Sequence, residues 1–229
     1  MPTSEAEAVA LFAGGTDTTV IGGGTIVVPA VSQGRLAPVR ALFLSRAGLA
    51  GITRSGATIT IGAMTPVDAL VDLPSPLGPC AENVADNEVR AQGTVGGNLC
   101  TASNGEVPRG DLQGPLLALD ARVRSQGADG ERTEPLEQFL AAHEGRLLLD
   151  VSYEEPAAGA FEVLRYPHTH TYTVLAVSAT RTASGEIRLA ATGVAGSPTR
   201  LRGAERAAAD PEAAGVAAAS EAGFADDAL

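Results

Sequence analysis

Lysine is absent: all 16 basic side chains of the chain are arginine. That absence excludes a Walker A phosphate loop, whose lysine reaches the nucleotide phosphates. It also excludes Schiff-base and pyridoxal phosphate chemistry on a lysine. Codon bias in a GC-rich genome, in keeping with the many Ala, Arg and Gly residues, is a sufficient cause, and the chemical exclusion holds regardless. Cysteine is scarce. Cys80 and Cys100 cannot build a disulfide framework and are too few for a zinc or iron–sulfur site of four thiolates. Long apolar runs are missing, none approaching the roughly 20 residues that span a bilayer. The first residues lack the basic-then-apolar pattern of a secretion signal, so a cytoplasmic location is expected. Positive charge is outnumbered, 27 acidic residues against 16 basic, for a net charge of -11. This argues against a nucleic-acid partner. It also means that a bound phosphate must find local donors, because the global field repels it.

What is present is enough for a folded core. The 229 residues, 45% of them apolar, suit one large domain or two small ones. Thr3 to Phe12 reads as a helix, Thr19 to Ile21 as a short strand, and Val39 to Ser45 as a buried strand. From Ile52 the apolar period is two, with a turn at Ser55-Gly56, as in a hairpin. Thr65-Pro66 opens a helix carrying Val67, Leu70 and Val71. Cys80 to Glu88 reads as one helix, Leu116 to Leu119 as a short one, and Pro135 to His143 as another. Strands start at Val123 and Leu147. Pro156 to Gly159 is the best candidate boundary. Beyond it, Phe161–Arg165, Tyr172–Thr182 and Ile187–Val194 read as an antiparallel meander, followed from Gly203 by an Ala- and Glu-rich helical stretch.

Two glycine-rich stretches stand out, Gly22 to Thr25 after a strand and Gly93 to Asn98. Glycines let a backbone take strained dihedrals and lie close to a ligand, and loops of backbone N–H donors suit a phosphate-bearing cofactor. Asp111, a little further on, can accept from sugar hydroxyls. A plain glycine turn between strands would carry the same letters. Neither stretch fits Gly-x-Gly-x-x-Gly, so a Rossmann fingerprint is absent. His168 and His170 would share one strand face as a metal pair, yet no third ligand accompanies them. Cys100 beside the second stretch is either redox active or a small buried apolar residue.

Several segments together resemble one family. They are Val20-Ile-Gly-Gly-Gly-Thr-Ile-Val27 with its spacing to Gly34 and Pro38, Ile59-Thr-Ile-Gly-Ala-Met-Thr65, and Val89-Arg-Ala-Gln-Gly-Thr-Val-Gly-Gly-Asn-Leu-Cys100. Thr101-Ala-Ser103, Asp111-Leu, Leu116 to Asp120 and Gly193 to Pro198 extend the match. In order and spacing they resemble the FAD-binding medium subunit of molybdenum hydroxylases of the xanthine and carbon monoxide dehydrogenase type.

The resemblance implies an α+β protein with an FAD-binding fold of the vanillyl-alcohol-oxidase (PCMH) class. Residues 1–156 would bind FAD through two α/β subdomains, about 1–48 and 49–156. Residues 157–229 would form a C-terminal antiparallel sheet plus helix domain, short beside the family's. Ile21, Gly22, Gly23, Gly24, Thr25, Ile26 and Val27 would hold the pyrophosphate. Thr94, Val95, Gly96, Gly97, Asn98 and Thr101 would hold the rest of the diphosphate and the ribityl region. Asp111 would accept from FAD hydroxyls, and Leu147 would pack on the flavin or its adenine; the family often has a Lys near the flavin at a position that is here Val163 or close to it, with Arg165 the nearby cation. Ala13-Gly-Gly-Thr16 copies the first motif but lacks its apolar continuation and is expected to be a decoy. No catalytic acid, base or nucleophile is required. The implied work is electron transfer from [2Fe-2S] clusters of a partner subunit to NAD+, quinone or oxygen, beside a molybdopterin-binding large subunit. A stand-alone reductase of the same fold and a cofactor-free scaffold are the alternatives.

Overall fold

Strand β1 (Thr18–Ile21) pairs in parallel with β2 (Arg40–Phe43), Val20 opposite Leu42. A parallel pair needs a crossover, and α2 (Val27–Ser32) supplies it directly after the Gly22–Thr25 loop. The computed structural model describes residues 1–13, 15, 17–101, 110–165, 173–193 and 198–222, the side chains of 165, 173 and 174 excepted. Helix α1 (Glu5–Phe12) precedes β1, and its end is locked twice. Ser4 Oγ accepts the Glu7 N–H at 3.2 Å, while the Glu7 carboxylate accepts the Thr3 N–H at 2.7 Å. Ala8, Phe12, Leu42, Leu44, Ala47 and Leu49 form a small core closed by Leu147 and Leu149. The expected buried strand over Val39–Ser45 is only half buried: Val39 is 92% exposed and Phe43 42%. The reason is that α1 covers one face of the two-stranded sheet, whereas α2 buries none of its residues.

The larger sheet is antiparallel, in the order β3-β4-β7-β5-β6. Its strands are β3 (Ile52–Ser55), β4 (Thr58–Gly62), β5 (Arg122–Gly127), β6 (Gly130–Pro135) and β7 (Leu147–Glu154). The expected β3–β4 hairpin turns at Gly56, where φ is +63°. Central β7 buries three consecutive leucines, because Leu147 and Leu149 face the small core and Leu148 the main one. Under this sheet α3 (Leu77–Asn83), α5 (Val95–Leu99), α6 (Gln113–Ala118) and α7 (Leu136–Ala141) share the main core, with Leu70, Leu77, Leu99, Leu112, Leu116 and Phe139 among the fully buried side chains, while α4 (Asn87–Gln92) buries none of its residues. Val67–Leu70 is a 3-10 turn rather than a full helix. The single helix expected over Cys80–Glu88 is in fact two. Ala85 takes φ +42°, and Asp86 then caps α4 by accepting the Val89 N–H at 2.8 Å. The Arg90 guanidinium folds back onto this break and donates to the Val84 carbonyl at 3.0 Å.

The meander follows as β8 (Ala158–Arg165), β9 (Thr173–Arg181), β10 (Ile187–Thr192) and β11 (Thr199–Arg200), neighbours in that order. Helices α8 (Arg202–Arg206) and α9 (Pro211–Ala222) close it. The Glu221 carboxylate joins them, accepting the Gly203 and Ala204 N–H groups at 2.6 and 3.2 Å. This second sheet packs on α6, where the Thr180 hydroxyl donates to the Ala118 carbonyl at 2.6 Å. Arg202 pairs with Glu137 of α7 at the rim. Among the described residues, no helix is long and apolar enough to cross a membrane.

Candidate functional site

The first glycine loop leaves β1 at Ile21, which is buried and whose carbonyl accepts the Leu44 N–H at 3.0 Å. Gly24 takes φ +76°, a conformation open to glycine, and its carbonyl accepts the Val28 N–H at 2.9 Å to start α2. Among the described residues, none accepts from the N–H groups of Gly22, Gly23, Gly24 or Thr25. The four residues are partly exposed, and backbone donors of such a loop suit an anion. Ile26 and Val27 continue the loop into α2, with Ile26 38% exposed.

The second stretch is not a free loop. Thr94, buried, caps α5 by accepting the Gly97 N–H at 3.1 Å, so Val95-Gly96-Gly97-Asn98-Leu99 forms a helical turn. Val95 and Leu99 are fully buried anchors. The Thr101 hydroxyl returns to the Gly97 carbonyl at 2.7 Å. The Asn98 side-chain oxygen accepts the Leu112 N–H at 2.9 Å, and the Gln113 side chain donates to the Leu99 carbonyl at 2.8 Å. Asp111 is thereby held beside α5 although residues 102–109 intervene in sequence. Its carbonyl also accepts the Cys80 thiol at 3.4 Å. Burial, and then the nearby Asp111 carboxylate, pushes that thiol well above its ordinary value, so Cys80 is an inert core group. Cys100 is exposed, at the end of α5, and is therefore not a buried apolar residue.

The two stretches interlock. A Cβ on Gly22 would lie 2.6 Å from Thr94 Oγ1, and one on Gly23 would collide with the Gln92 carbonyl. Gly96 is similarly tight, its Cβ position 3.0 Å from both the Cβ and the carbonyl oxygen of Ala63. Close packing inside the protein thus presses on all three: Gly23 against the Gln92 backbone, Gly96 against Ala63 and Gly22 against the Thr94 side chain. Gly97 differs: the one neighbour within 4 Å of its Cβ position is Thr94 Oγ1, at 3.1 Å, and the residue is exposed. The open side of the assembled loops therefore runs from Gly22–Thr25 past Gly97 to Asn98, Thr101 and Asp111.

Other expected site residues lie elsewhere. Leu147 is 2% exposed and packs with Ala8, Phe12 and Leu42 in the small core. Arg165 ends β8, its backbone paired with Thr173. His168 and His170 lie outside the described residues, as do Gly14 and Thr16 of the Ala13–Thr16 stretch. Gly15 there closes the α1–β1 turn, donating to the Phe12 carbonyl at 2.8 Å. Sequence reading also gave no role to Ala63–Val67, whose backbone carries the second stretch. Ala63 and Thr65 carbonyls accept the Gly96 and Val95 N–H groups at 2.8 and 3.0 Å, and Val67 N–H donates to Gly93 at 2.9 Å. Such a platform is made by main-chain atoms and leaves no signature in side-chain letters.

The donor set suits an anionic, hydroxyl-bearing cofactor: loop N–H groups without an acceptor among the described residues for phosphate, and a partly exposed Asp111 beside a capped helical turn for hydroxyls. Residues 1–152 match the family model described as the FAD binding domain in molybdopterin dehydrogenase. The chain belongs to that family. It is an α+β oxidoreductase domain, and its cofactor is FAD. Among relatives of this FAD-binding family, the carbon monoxide dehydrogenase medium chain of Hydrogenophaga pseudoflava is 30% identical over 88% of this chain and 75% of its own length. The 6-hydroxypseudooxynicotine dehydrogenase complex subunit alpha of Paenarthrobacter nicotinovorans is 34% identical over 64% of this chain, a match spanning about half (53%) of that subunit. A solved carbon monoxide dehydrogenase from H. pseudoflava, lacking the Mo-pyranopterin moiety, superposes with a TM-score of 0.85 at 28% identity, covering 99% of this chain and 87% of that one.

Proposed function

We propose that this chain is the FAD-binding medium subunit of a molybdenum hydroxylase, relaying electrons from [2Fe-2S] clusters of a small partner subunit to NAD+, quinone or oxygen. The observation that carries the reading is the interlock of Gly22–Thr25 with the Thr94-capped turn, beside loop N–H groups that find no acceptor among the described residues. Gly22, Gly23, Gly24, Thr25, Ile26 and Val27 would hold the pyrophosphate through backbone donors. Thr94, Val95, Gly96, Gly97, Asn98 and Thr101 would shape the wall against which the remainder lies. Asp111 would accept from hydroxyls. Bound FAD supplies the redox chemistry, taking up and giving out one or two electrons. The residues bind and orient it, and none is asked to move a proton.

The relatives' names speak of a dehydrogenase and a dehydrogenase complex, which supports assembly with a molybdopterin-binding large subunit and the small subunit. A cytoplasmic location accords with this reading. Residues 1–156 would form the FAD-binding domain, its subdomains dividing near residue 48, and 157–229 the covering domain that brings Arg165 toward the flavin. Purification from the native host tests the proposal. Flavin absorbance in a preparation that also contains iron–sulfur and molybdopterin chains supports it. A chain that elutes alone with FAD and reduces acceptors from NAD(P)H would establish a stand-alone reductase instead, and a colourless chain within a complex would establish a scaffold.

A further inference from the structure

The Ala63–Val67 segment lies between two backbones. On one side it carries the second glycine stretch through the three main-chain bonds given above. On the other it is zipped to residues 49–51: the Gly62 N–H donates to the Gly51 carbonyl at 2.9 Å and the Met64 N–H to the Leu49 carbonyl at 2.8 Å. A single side chain completes this second seam among the described residues. The Thr65 hydroxyl accepts the Gly51 N–H at 2.9 Å and donates to the Gly51 carbonyl at 3.0 Å. Thr65 is 2% exposed, and Gly51 itself takes φ +124°.

We infer that Thr65 is a positioning residue for the FAD site, a role that rests on the function proposed above. It never touches the cofactor. Its own carbonyl holds the Val95 N–H at the start of the helical turn, so the place of its backbone fixes the place of Thr94 and Gly97. Without the hydroxyl, the Gly51 N–H loses its partner to water and the Gly51 carbonyl keeps only the Gly62 N–H, so the seam between buried Thr65 and exposed Gly51 loosens and the Thr65 backbone can move. The movement passes directly into the platform under Val95 and Gly96. Through Thr94 it reaches Gly22 as well, whose Cβ position nearly touches that hydroxyl.

The test compares Thr65→Val, which keeps the shape and removes the hydroxyl, with Thr65→Ser, which keeps it. Thr180→Val is the control, since Thr180 makes an equally buried hydroxyl bond to Ala118 far from the glycine stretches. Full chains are purified from the native host in the assembly they form. FAD release is followed by flavin fluorescence, with thermal unfolding measured in parallel. The proposal expects Thr65→Val to release FAD roughly tenfold faster or more, the effect of about one lost hydrogen bond. It expects Thr65→Ser to stay near wild type, and Thr180→Val to lose stability while holding FAD as wild type does. Equal FAD release by Thr65→Val and wild type overturns the positioning role alone. Equal weakening by Thr180→Val overturns it too, by showing a general stability effect. A wild-type chain that carries no FAD overturns the underlying functional reading and this role with it.

Discussion

The side-chain oxygen of Asn98 accepts the backbone N–H of Leu112 at 2.9 Å. Thirteen residues separate the two in sequence, yet this bond sets Asp111 against the second glycine stretch. Asn98 is thus a clamp between two parts of the site as well as a wall of it. Replacing Asn98 with Ala leaves a partly buried N–H without its partner, a cost of about 1–3 kcal/mol. We expect weaker FAD retention and a lower melting temperature together. Asn98→Asp, which keeps an acceptor, should retain most of the binding, as measured by flavin content after gel filtration.

The glycines should separate into two kinds. Gly97→Val meets one neighbouring atom, Thr94 Oγ1, and is expected to lose flavin while far-UV circular dichroism stays native. Gly23→Ala drives a Cβ into the Gln92 carbonyl and should destabilise the fold by about 1–3 kcal/mol, the usual cost of overpacking. Full flavin content in Gly97→Val would contradict the assignment of the open side.

Acid should loosen α1 from the larger sheet. Arg124 holds Glu5 at 2.6 Å, Asp150 at 2.6 Å and Glu131 at 3.1 Å. The hydrogen bond from Arg124 lowers the Glu5 pKa from its ordinary 4.5, against a smaller opposing effect of burial. A carboxyl depressed in the folded state stabilises above its unfolded pKa, and the stabilisation is lost as pH falls through the folded value. Unfolding followed from neutral pH down past 4.5 should therefore show a loss of stability that Glu5→Gln lacks. Identical acid profiles for the two proteins would sink the idea.

Two of the bonds that join the C-terminal sheet and its helices to α6 and α7 should differ in weight. Thr180 is buried, so Thr180→Val leaves the Ala118 carbonyl unsatisfied and should cost about 1–3 kcal/mol. Arg202 and Glu137 are half exposed, and Arg202→Ala should cost no more than about 1 kcal/mol. Denaturant unfolding of the two variants measures the order.

Much of this was legible in the sequence. Alternation from Ile52 gave the β3–β4 hairpin, and the three strand segments beyond Pro156 the meander. The two glycine stretches stood out in the letters as candidate cofactor loops. What the letters hid was the reason for each glycine. Gly22, Gly23 and Gly96 serve close contacts between segments far apart in sequence, which no local pattern encodes. The break at Ala85 was hidden likewise, because alanine ordinarily favours helix and here Arg90 and Asp86 override it. The burial of Leu147 was hidden too, since it follows from the small core formed with α1 and β2, a tertiary fact.

The claim at the centre is that Gly22–Thr25 and the Thr94-capped turn jointly hold FAD in a subunit of a larger enzyme. The absorbance spectrum and subunit composition of the wild-type chain purified from its host, beside Gly97→Val treated alike, test it most directly. The account predicts flavin bands and co-purifying iron–sulfur and molybdopterin chains for wild type, with the flavin lost in the variant. A colourless wild type, or a variant with undiminished flavin, would contradict it.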